Sequence, residues 1–243
     1  MLRSQMLKLV LVTLLFFFSS ASARNDQRKA DHISDFAAKS LNQFHVFDPE
    51  SWSHHHGLQE FVRKYNRMQA EKFSQIKKQN KATLQHISKV FTSYKLPAEL
   101  KYLAIVESEL KSTATSRVGA LGVWQLMPQT AIELGLTVDS TNDERLNLHK
   151  STKAAALYLR DLYRTFDDWA LAVAAYNCGP GPVYKAIRKA DSRNYWDLQE
   201  YLPKETRNHI KKLMATQVYF EGKSSFSGEF NLSDQYDGAL AGK

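Results

Sequence analysis

The stretch KLPAELKYLAIVESELKSTATSRVGALGVWQLMP, residues 95–128, decides the fold of this chain. Pro97 suits the first position of a helix, because its missing N–H costs no hydrogen bond there. On one face of this predicted helix the pattern calls for an apolar residue at position 107, but Glu107 stands there. The residues that share the face are Leu100, Leu103 and Leu110. This mismatch makes Glu107 the first candidate for a functional residue.

A glutamate held among leucine and valine side chains has its charged form disfavoured by desolvation. Glu107 can therefore carry a proton near neutral pH, as the general acid of a glycosidase does. The alternative is a core glutamate that an arginine or tyrosine elsewhere satisfies. Glu109 points roughly 200° around the helix from Glu107, so we expect it to be solvated.

The first 23 residues are typical of a targeting segment. Arg3 and Lys8 supply a positive start, a run of ten residues that is apolar except for Thr13 occupies positions 9–18, and Ala-Ser-Ala at 21–23 offers a cleavage site. A run of ten residues is too short to span a bilayer, which takes about 20. We predict a signal peptide over 1–23 and an exported protein, periplasmic or secreted, that is soluble after the segment is removed and makes no stable membrane insertion.

Composition narrows the remaining classes. With 243 residues and 43% hydrophobic content, the chain can bury one good-sized core. A net charge of +8 attracts acidic polymers, and a bacterial cell wall fits as well as nucleic acid does. No aromatic RNA-binding run or zinc-finger spacing favours nucleic acid, so we predict no such partner. The single cysteine, Cys178, excludes an internal disulfide and a cysteine zinc cluster, and no cysteine near the cleavage site could carry a lipid.

The rest of the chain predicts helices joined by short loops. Between residues 58 and 94 apolar residues recur at helical spacing around a lysine-rich gap at 77–81, which predicts one long or two shorter amphipathic helices. Residues 112–124 predict a loop or a weak hairpin. Strand signals are almost absent. Further helices are predicted over 128–134, 152–166 with Ser151 as cap, 169–177 with Asp167 or Asp168 as cap, 183–189, 196–201 and 203–220.

The three histidines at 54–56 cannot share one helix face, so we read them as a polar linker or cap and predict no metal site. We predict no cofactor either. Nothing in the sequence indicates an oligomeric state.

Three separated segments resemble the lytic transglycosylases with a goose-lysozyme-like (SLT) catalytic domain. ESELKSTATSRVGALGVWQLMPQTA, residues 107–131, matches that family's Glu-Ser start, its Ser-x-x-Gly-Ala-x-Gly loop and its Trp-Gln-x-Met-Pro turn. AYNCGPG at 175–181 matches Ala-Tyr-Asn-x-Gly-x-Gly, and YLPKETRNHI at 201–210 is similar to Leu-Pro-x-Glu-Thr-Arg-x-Tyr. Each segment alone is weak, but all three in this order and spacing are specific.

The resemblance implies an all-α, lysozyme-like protein in four parts. We predict the signal peptide over 1–23, a helical N-terminal extension over 24–94, the catalytic domain over 95–222 and a flexible tail over 223–243. Glu107 then corresponds to the family's only catalytic carboxylate. The resemblance assigns the glycan site to Ser116, Gln125, Met127, Tyr176 and Asn177. Local capping or loop hydrogen bonding is the alternative for the polar residues of this set, and a core position is the alternative for Met127.

Two residues depart from the family pattern. His209 stands where the family usually has tyrosine, which puts a contact from the aromatic hydroxyl in doubt. Cys178 stands where a small residue is common, and we read it as an incidental buried thiol because no histidine base is predicted beside it. Ser108 belongs to the signature and is expected to hold the helix and the loop together.

A glycosidase of the usual kind needs two carboxylates, and the sequence offers no second one. Asp143 and Glu144 look like local ion pairs with Arg145, and Glu205 is better read as a first-turn acid. The resemblance implies that one carboxyl suffices, because the 6-hydroxyl of MurNAc attacks its own C1 when the MurNAc-β-1,4-GlcNAc bond is cut, leaving a 1,6-anhydro end. Two alternatives stay open: a hydrolytic goose-type lysozyme and a catalytically inactive wall-binding protein.

Overall fold

The computed structural model of this chain describes residues 56–221. The predictions for the signal peptide, for the histidines at 54 and 55 and for the tail at 223–243 lie outside the described residues. The α-helices of the described range are α1 (His56–Gln79), α2 (Lys81–Ser93), α3 (Leu103–Ser108), α4 (Pro128–Glu133), α5 (Leu148–Phe166), α6 (Trp169–Cys178), α7 (Pro180–Ala190), α8 (Tyr195–Leu198) and α9 (Lys204–Glu221). Three short 3₁₀ helices span Ala98–Tyr102, Glu144–Leu146 and Gln199–Tyr201.

The predicted all-α class is confirmed for residues 56–221, where the extended pairings are isolated bridges and no strand forms. The amphipathic stretch 58–94 forms two helices separated at Asn80, inside the lysine-rich gap. The predicted loop at 112–124 is also confirmed, with isolated bridges from Leu121 to Thr115 and to Leu126. In the part of the chain that the structure describes, no helix has both the length and the apolar character that a membrane span needs.

Helix α6 is buried on all sides. Its residues from Trp169 to Ala175 are all in the core, and α5, α7 and α9 pack against it. Small alanine side chains let the neighbouring helices approach closely, while Trp169 stacks on Tyr163 with ring centroids 4.2 Å apart. Asp168 caps the helix by accepting a hydrogen bond from the Leu171 N–H, which confirms one of the two predicted caps.

Helices α1 and α9 lie side by side and run in the same direction. Lys64 of α1 lines a cavity together with Lys212 of α9. Farther along both helices, the Tyr219 hydroxyl donates a hydrogen bond to the Ala70 carbonyl, and the Phe73 ring lies 5.1 Å from the Tyr219 ring. The helix that begins the described region is therefore packed along the helix that ends it.

The helix predicted from Pro97 begins and ends differently from the prediction. Pro97 is an extended cap residue, with ψ of 129°, and a 3₁₀ turn begins at Ala98 before α3 takes over. Helix α3 then ends at Ser108, because Glu109 and Leu110 have positive φ angles of 57° and 63°. Leu110 is buried as predicted, but it lies beyond the helix rather than on its face.

The cap predicted for the next long helix is wrong. Helix α5 begins at Leu148, and the Asn147 side chain accepts the hydrogen bond of the Lys150 N–H. Ser151 is buried inside this helix, where its hydroxyl donates to the Asn147 carbonyl at 2.7 Å. Asparagine and serine are equally good caps, so the helix starts at the one that allows the longer helix.

The glycine and proline residues at 179–182 separate two helices by one residue only. Gly179 ends α6 with a φ of 80°, and α7 begins at Pro180. The helix predicted over 183–189 therefore starts three residues earlier, because proline is tolerated in a first turn, where its missing N–H would have no partner.

Candidate active site

Helix α3 carries Glu107 one residue before its end. Leu103, Ala104 and Ile105 are buried and fix this short helix in the core up to the turn that presents the carboxylate. The side chain of Glu107 is only 13% exposed. The carboxylate is therefore held largely out of water, as the mismatch in the apolar pattern indicated.

Helix α9 brings His209 into contact with Glu107. Nε2 of His209 lies 2.9 Å from Oε1 of Glu107, and His209 is itself buried. Nδ1 of His209 is buried with no hydrogen-bond partner among residues 56–221. The sequence reasoning treated His209 only as a departure that put a contact in doubt, and so missed it as a site residue. The motif itself was the available signal, because a residue that replaces a motif tyrosine occupies the same place on α9.

Tyr176 on α6 lies close enough to Glu107 for the two groups to interact electrostatically. Burial raises the pKa of Tyr176 well above its ordinary value of 10.0, and the negative charge of Glu107 raises it further. The Tyr176 hydroxyl donates a 2.7 Å hydrogen bond to the carbonyl of Trp124, and its ring packs against Tyr158. Three elements thus meet here: the end of α3, the C-terminal half of α6 and the first turns of α9.

Two serines hold the loop that follows α3. The Ser108 hydroxyl donates to the Val123 carbonyl at 2.8 Å and so ties the helix to the loop, as predicted. Ser116 Oγ accepts a 2.9 Å hydrogen bond from the Ala120 N–H and closes a turn of the loop. The Ser116 oxygen thus has the local loop role that was its alternative reading, while its hydroxyl proton is not used in that bond.

A buried arginine, Arg145, holds the same loop through hydrogen bonds to its backbone carbonyls. Its guanidinium donates to the carbonyls of Gly119 and Leu126 at 2.8 and 3.0 Å and pairs with Asp143 at 2.6 Å. The hydrogen bond from Arg145 holds the pKa of the Asp143 carboxyl below its ordinary value of 3.8. The predicted ion pair between Asp143 and Arg145 is confirmed, but the sequence reasoning missed the loop contacts because carbonyl acceptors leave no residue signal.

Gly122 lies where the loop passes closest to the Arg145 backbone. Its φ is 81°, and a Cβ at this position would lie 2.3 Å from the Arg145 carbonyl oxygen. Gly119 has a similar φ of 88°, but a Cβ there would meet nothing within 4 Å. Gly122 is therefore required by both backbone conformation and space, and Gly119 by conformation alone.

The other predicted site residues all lie at the edges of this arrangement. The Gln125 amide donates to two loop carbonyls at 2.9 Å each, and Gln125 itself has a positive φ of 47°. Met127, for which a core position was the alternative, is 42% exposed. The Asn177 side-chain oxygen accepts a 2.8 Å hydrogen bond from the Thr206 hydroxyl and so links α6 to α9.

Two other carboxylates of this region have cationic partners. Glu109 pairs with Lys72 at 2.5 Å and with Lys111 at 2.7 Å, and the hydrogen bonds from these lysines lower its pKa. The expectation that Glu109 is merely solvated is therefore wrong. Glu144 pairs with Lys150 rather than with Arg145. Both carboxylates are therefore held in ion pairs with lysines.

A cavity of about 510 Å³ lies between α1, α3 and α9. Val106 and Asn208 line it, each being the residue that precedes a member of the Glu107–His209 pair, but Glu107 itself does not. Its other lining residues include aromatic rings of α1 and three lysines, Lys64, Lys72 and Lys212. The cavity therefore lies next to the candidate active site and carries three lysines, but the Glu107 carboxylate does not line it.

Cys178 and the described carboxylates and histidines provide no metal site. Among residues 56–221, no group of three or more His, Cys, Asp or Glu side chains could hold a metal ion. Burial raises the pKa of the Cys178 thiol, so the reactive thiolate is disfavoured at this position.

Comparison with known proteins yields one family and several relatives. The transglycosylase SLT domain family matches residues 87–199. Membrane-bound lytic murein transglycosylase D of Escherichia coli K12 is 36% identical over 145 residues, which are 58% of this chain and 32% of that protein. Peptidoglycan transglycosylase gp16 of Escherichia phage T7 is 36% identical over 121 residues, which are 47% of this chain and 9% of that protein.

Among solved structures, the 70 kDa soluble lytic transglycosylase of Escherichia coli aligns with 57% of this chain and 25% of its own, at 27% identity and a TM-score of 0.49. This chain spans no more than 32% of the length of any of these three relatives.

Proposed function

We propose that this protein is a peptidoglycan lytic transglycosylase, because its residues 87–199 match the transglycosylase SLT domain family. It cleaves the MurNAc-β-1,4-GlcNAc bond by non-hydrolytic intramolecular transfer and leaves 1,6-anhydroMurNAc ends. The predicted fold class, all-α and lysozyme-like, is the one that this family has.

The single observation that carries the proposal is the placement of Glu107. Its side chain is 13% exposed and is contacted by His209, and its charge contributes to the raised pKa of Tyr176. A carboxyl in such a place, at the position that matches the family's catalytic glutamate, suits proton transfer to and from a bound sugar. Glu109 is engaged with lysines and Asp143 with arginine, which supports a mechanism with one carboxyl.

Glu107 acts twice in this mechanism. Protonated, it donates its proton to the bridging glycosidic oxygen as the C1–O bond breaks. As carboxylate, it then accepts the proton of the MurNAc 6-hydroxyl while that oxygen bonds to C1 and closes the 1,6-anhydro ring. The attacking group belongs to the sugar that is cut, so ring closure has the high effective concentration of an intramolecular step and uses no water.

The other site residues contact the glycan through donor and acceptor groups that are not used in hydrogen bonds within the protein. Ser116 accepts from the Ala120 N–H, so its hydroxyl proton can be donated to the sugar. The Asn177 oxygen is occupied by Thr206, which leaves its amide N–H groups as donors. The Tyr176 hydroxyl donates to a carbonyl, so its oxygen remains an acceptor. The Gln125 amide oxygen and the exposed Met127 side chain complete the surface.

We also propose the predicted chain organisation for this function. The signal peptide at 1–23 exports the protein to the periplasm or out of the cell, the helical extension at 24–94 precedes the catalytic domain at 95–222, and residues 223–243 form a tail. The substrate partner is the glycan strand of peptidoglycan, and the positive net charge of +8 favours approach to this acidic polymer.

The proposal is tested by mass spectrometry of purified sacculi after incubation with the protein or with its Glu107→Gln variant. We expect anhydro-ended products from the wild type and none from Glu107→Gln, at an unchanged far-UV spectrum and unfolding midpoint. Products heavier by one water would identify the hydrolytic lysozyme instead. Binding to sacculi without any new chain ends would identify an inactive wall-binding protein, and full activity of Glu107→Gln would refute the assignment of this residue.

A further inference from the structure

We infer that His209 is a positioning residue that acts as a neutral imidazole, whose Nε2–H donates to Oε1 of Glu107 and leaves Oε2 as the oxygen that carries the proton. The inference rests on the proposed function for the role of Glu107. It goes beyond that function by assigning the tautomer of His209 and by distinguishing the two oxygens of the carboxyl.

The first step is the geometry of the contact. Nε2 of His209 lies 2.9 Å from Oε1 of Glu107, a normal hydrogen-bond distance, with the His209 side chain 9% and the Glu107 side chain 13% exposed. Oε2 of Glu107 has no hydrogen-bond partner among residues 56–221. The imidazole thus holds one oxygen of the carboxyl in place and leaves the other open.

The second step is the opposite ring nitrogen. Nδ1 of His209 is buried and finds no acceptor among residues 56–221. An imidazolium would place an N–H at this nitrogen, and a buried donor without a partner keeps its full desolvation cost. The Nδ1–H neutral tautomer has the same defect. The Nε2–H tautomer alone puts its hydrogen where an acceptor lies and leaves only a lone pair at Nδ1.

The third step concerns the extra proton that the acid form of the site needs. If His209 took it, Glu107 would stay a carboxylate in an ion pair and could not protonate the leaving oxygen. Because Nδ1 disfavours that state, the proton goes to Glu107. Oε1 already accepts from Nε2–H, so the proton binds at Oε2. The same hydrogen bond persists when Glu107 later acts as base, and the carboxyl keeps one orientation through both steps.

The ionisable surroundings do not supply Nδ1 with a partner. Glu107 faces His209 from α3. On α6, burial raises the pKa values of Tyr176 and Cys178, and the charge of Glu107 raises that of Tyr176 further. On α9 itself, Arg207 stands two residues before His209 and forms an ion pair with Glu200. The lysines of α1 and α9 line the adjacent cavity instead: Lys64, Lys72 and Lys212.

Nitrogen NMR of the full-length protein labelled with ¹⁵N at histidine tests the tautomer directly. We expect Nε2 of His209 to carry a proton and Nδ1 to carry none under the conditions of the activity assay. The His209→Gln variant identifies the signals by their loss. Protonation of both nitrogens, or a proton on Nδ1 alone, would overturn the inference.

Two variants test the positioning role through activity. His209→Phe keeps a ring but loses the donor, and we expect kcat to fall ten- to a hundredfold with little change in KM, as for loss of a hydrogen bond to a charged group. His209→Gln keeps an N–H donor that does not titrate, and we expect it to restore kcat to within several-fold and to keep the wild-type pH profile. Equal kcat for His209→Phe and wild type, or an acid limb that disappears in His209→Gln, would contradict the inference.

The two proposals fail separately. If sacculi are not cleaved to anhydro ends, the function falls, while the NMR measurement of His209 remains valid as a statement about the tautomer. If cleavage is found but Nδ1 of His209 carries a proton, the function stands and the positioning role falls.

Discussion

Replacing Gly122 with alanine should destabilise the loop that follows α3 more than the same change at Gly119. Both glycines have φ angles between 80° and 90°, so both pay about 1–2 kcal/mol for a left-handed alanine. Alanine also restricts the unfolded chain more than glycine does, which stabilises the folded state of each variant by roughly 0.4–1 kcal/mol. Only Gly122→Ala adds a steric term, since its Cβ would lie 2.3 Å from the Arg145 carbonyl oxygen.

The steric term is not easily relieved. The Arg145 backbone is anchored by its guanidinium, which binds the carbonyls of Gly119 and Leu126 and the carboxylate of Asp143. Overpacking against atoms that cannot yield costs about 1–3 kcal/mol. We therefore expect Gly119→Ala to lower the unfolding free energy by about 1 kcal/mol and Gly122→Ala by about 2–4 kcal/mol.

Urea unfolding followed by far-UV circular dichroism measures both values on the full-length protein, with a common m-value as the check for two-state behaviour. Gly119→Ala is the matched control, because it has the same backbone conformation in open space. Equal losses for the two variants, or a larger loss for Gly119→Ala, would refute the reasoning that the Arg145 carbonyl limits this loop. The Gly122→Ala variant should also lose activity on sacculi, because the loop carries Ser116 and Gln125.

Two further changes test the core. Burial raises the pKa of the Asp168 cap from 3.8 to about 6, so the folded protein binds more protons than the unfolded one between those pH values and loses stability as pH rises through them. Asp168→Asn keeps a capping oxygen without the charge, so it should raise the unfolding free energy at pH 7 by about 2 kcal/mol and change little at pH 4; equal effects at both pH values would contradict this. Asn66 on α1 is fully buried and neither side-chain polar atom has a partner among residues 56–221. Asn66→Leu should therefore raise the thermal midpoint, by about 1–3 kcal/mol in free energy, and a lower midpoint would indicate that the amide is satisfied in solution.

The helical architecture was largely predictable because amphipathic helices leave a regular pattern. Helices α1 and α2 were found from apolar spacing, and the break at Asn80 from a lysine-rich gap. Boundaries were less predictable where two residues could cap equally well, as Asn147 and Ser151 can. The end of α3 was missed because Glu109 and Leu110 adopt positive φ without being glycine, and only tertiary contacts can impose that conformation.

The site was predictable only in part, for a related reason. Glu107 stood out because it broke an apolar pattern within a single helix. Its partner His209 is 102 residues away, and the partner of Glu109, Lys72, is 37 residues away, so no local pattern joins them. The role of Arg145 depends on backbone carbonyls, which every residue has and no sequence distinguishes.

The shared direction of α1 and α9 limits how the chain could be rearranged. Ala70 and Phe73 lie beside Tyr219 near the end of α9, so the beginning of α1 lies back toward the start of α9. A circular permutant that joins residues 221 and 56 therefore needs a linker that runs back along α9. Eighteen residues at 1.5 Å each make that path about 27 Å long. At least about eight extended residues would be required. An antiparallel pair would have closed with a short turn.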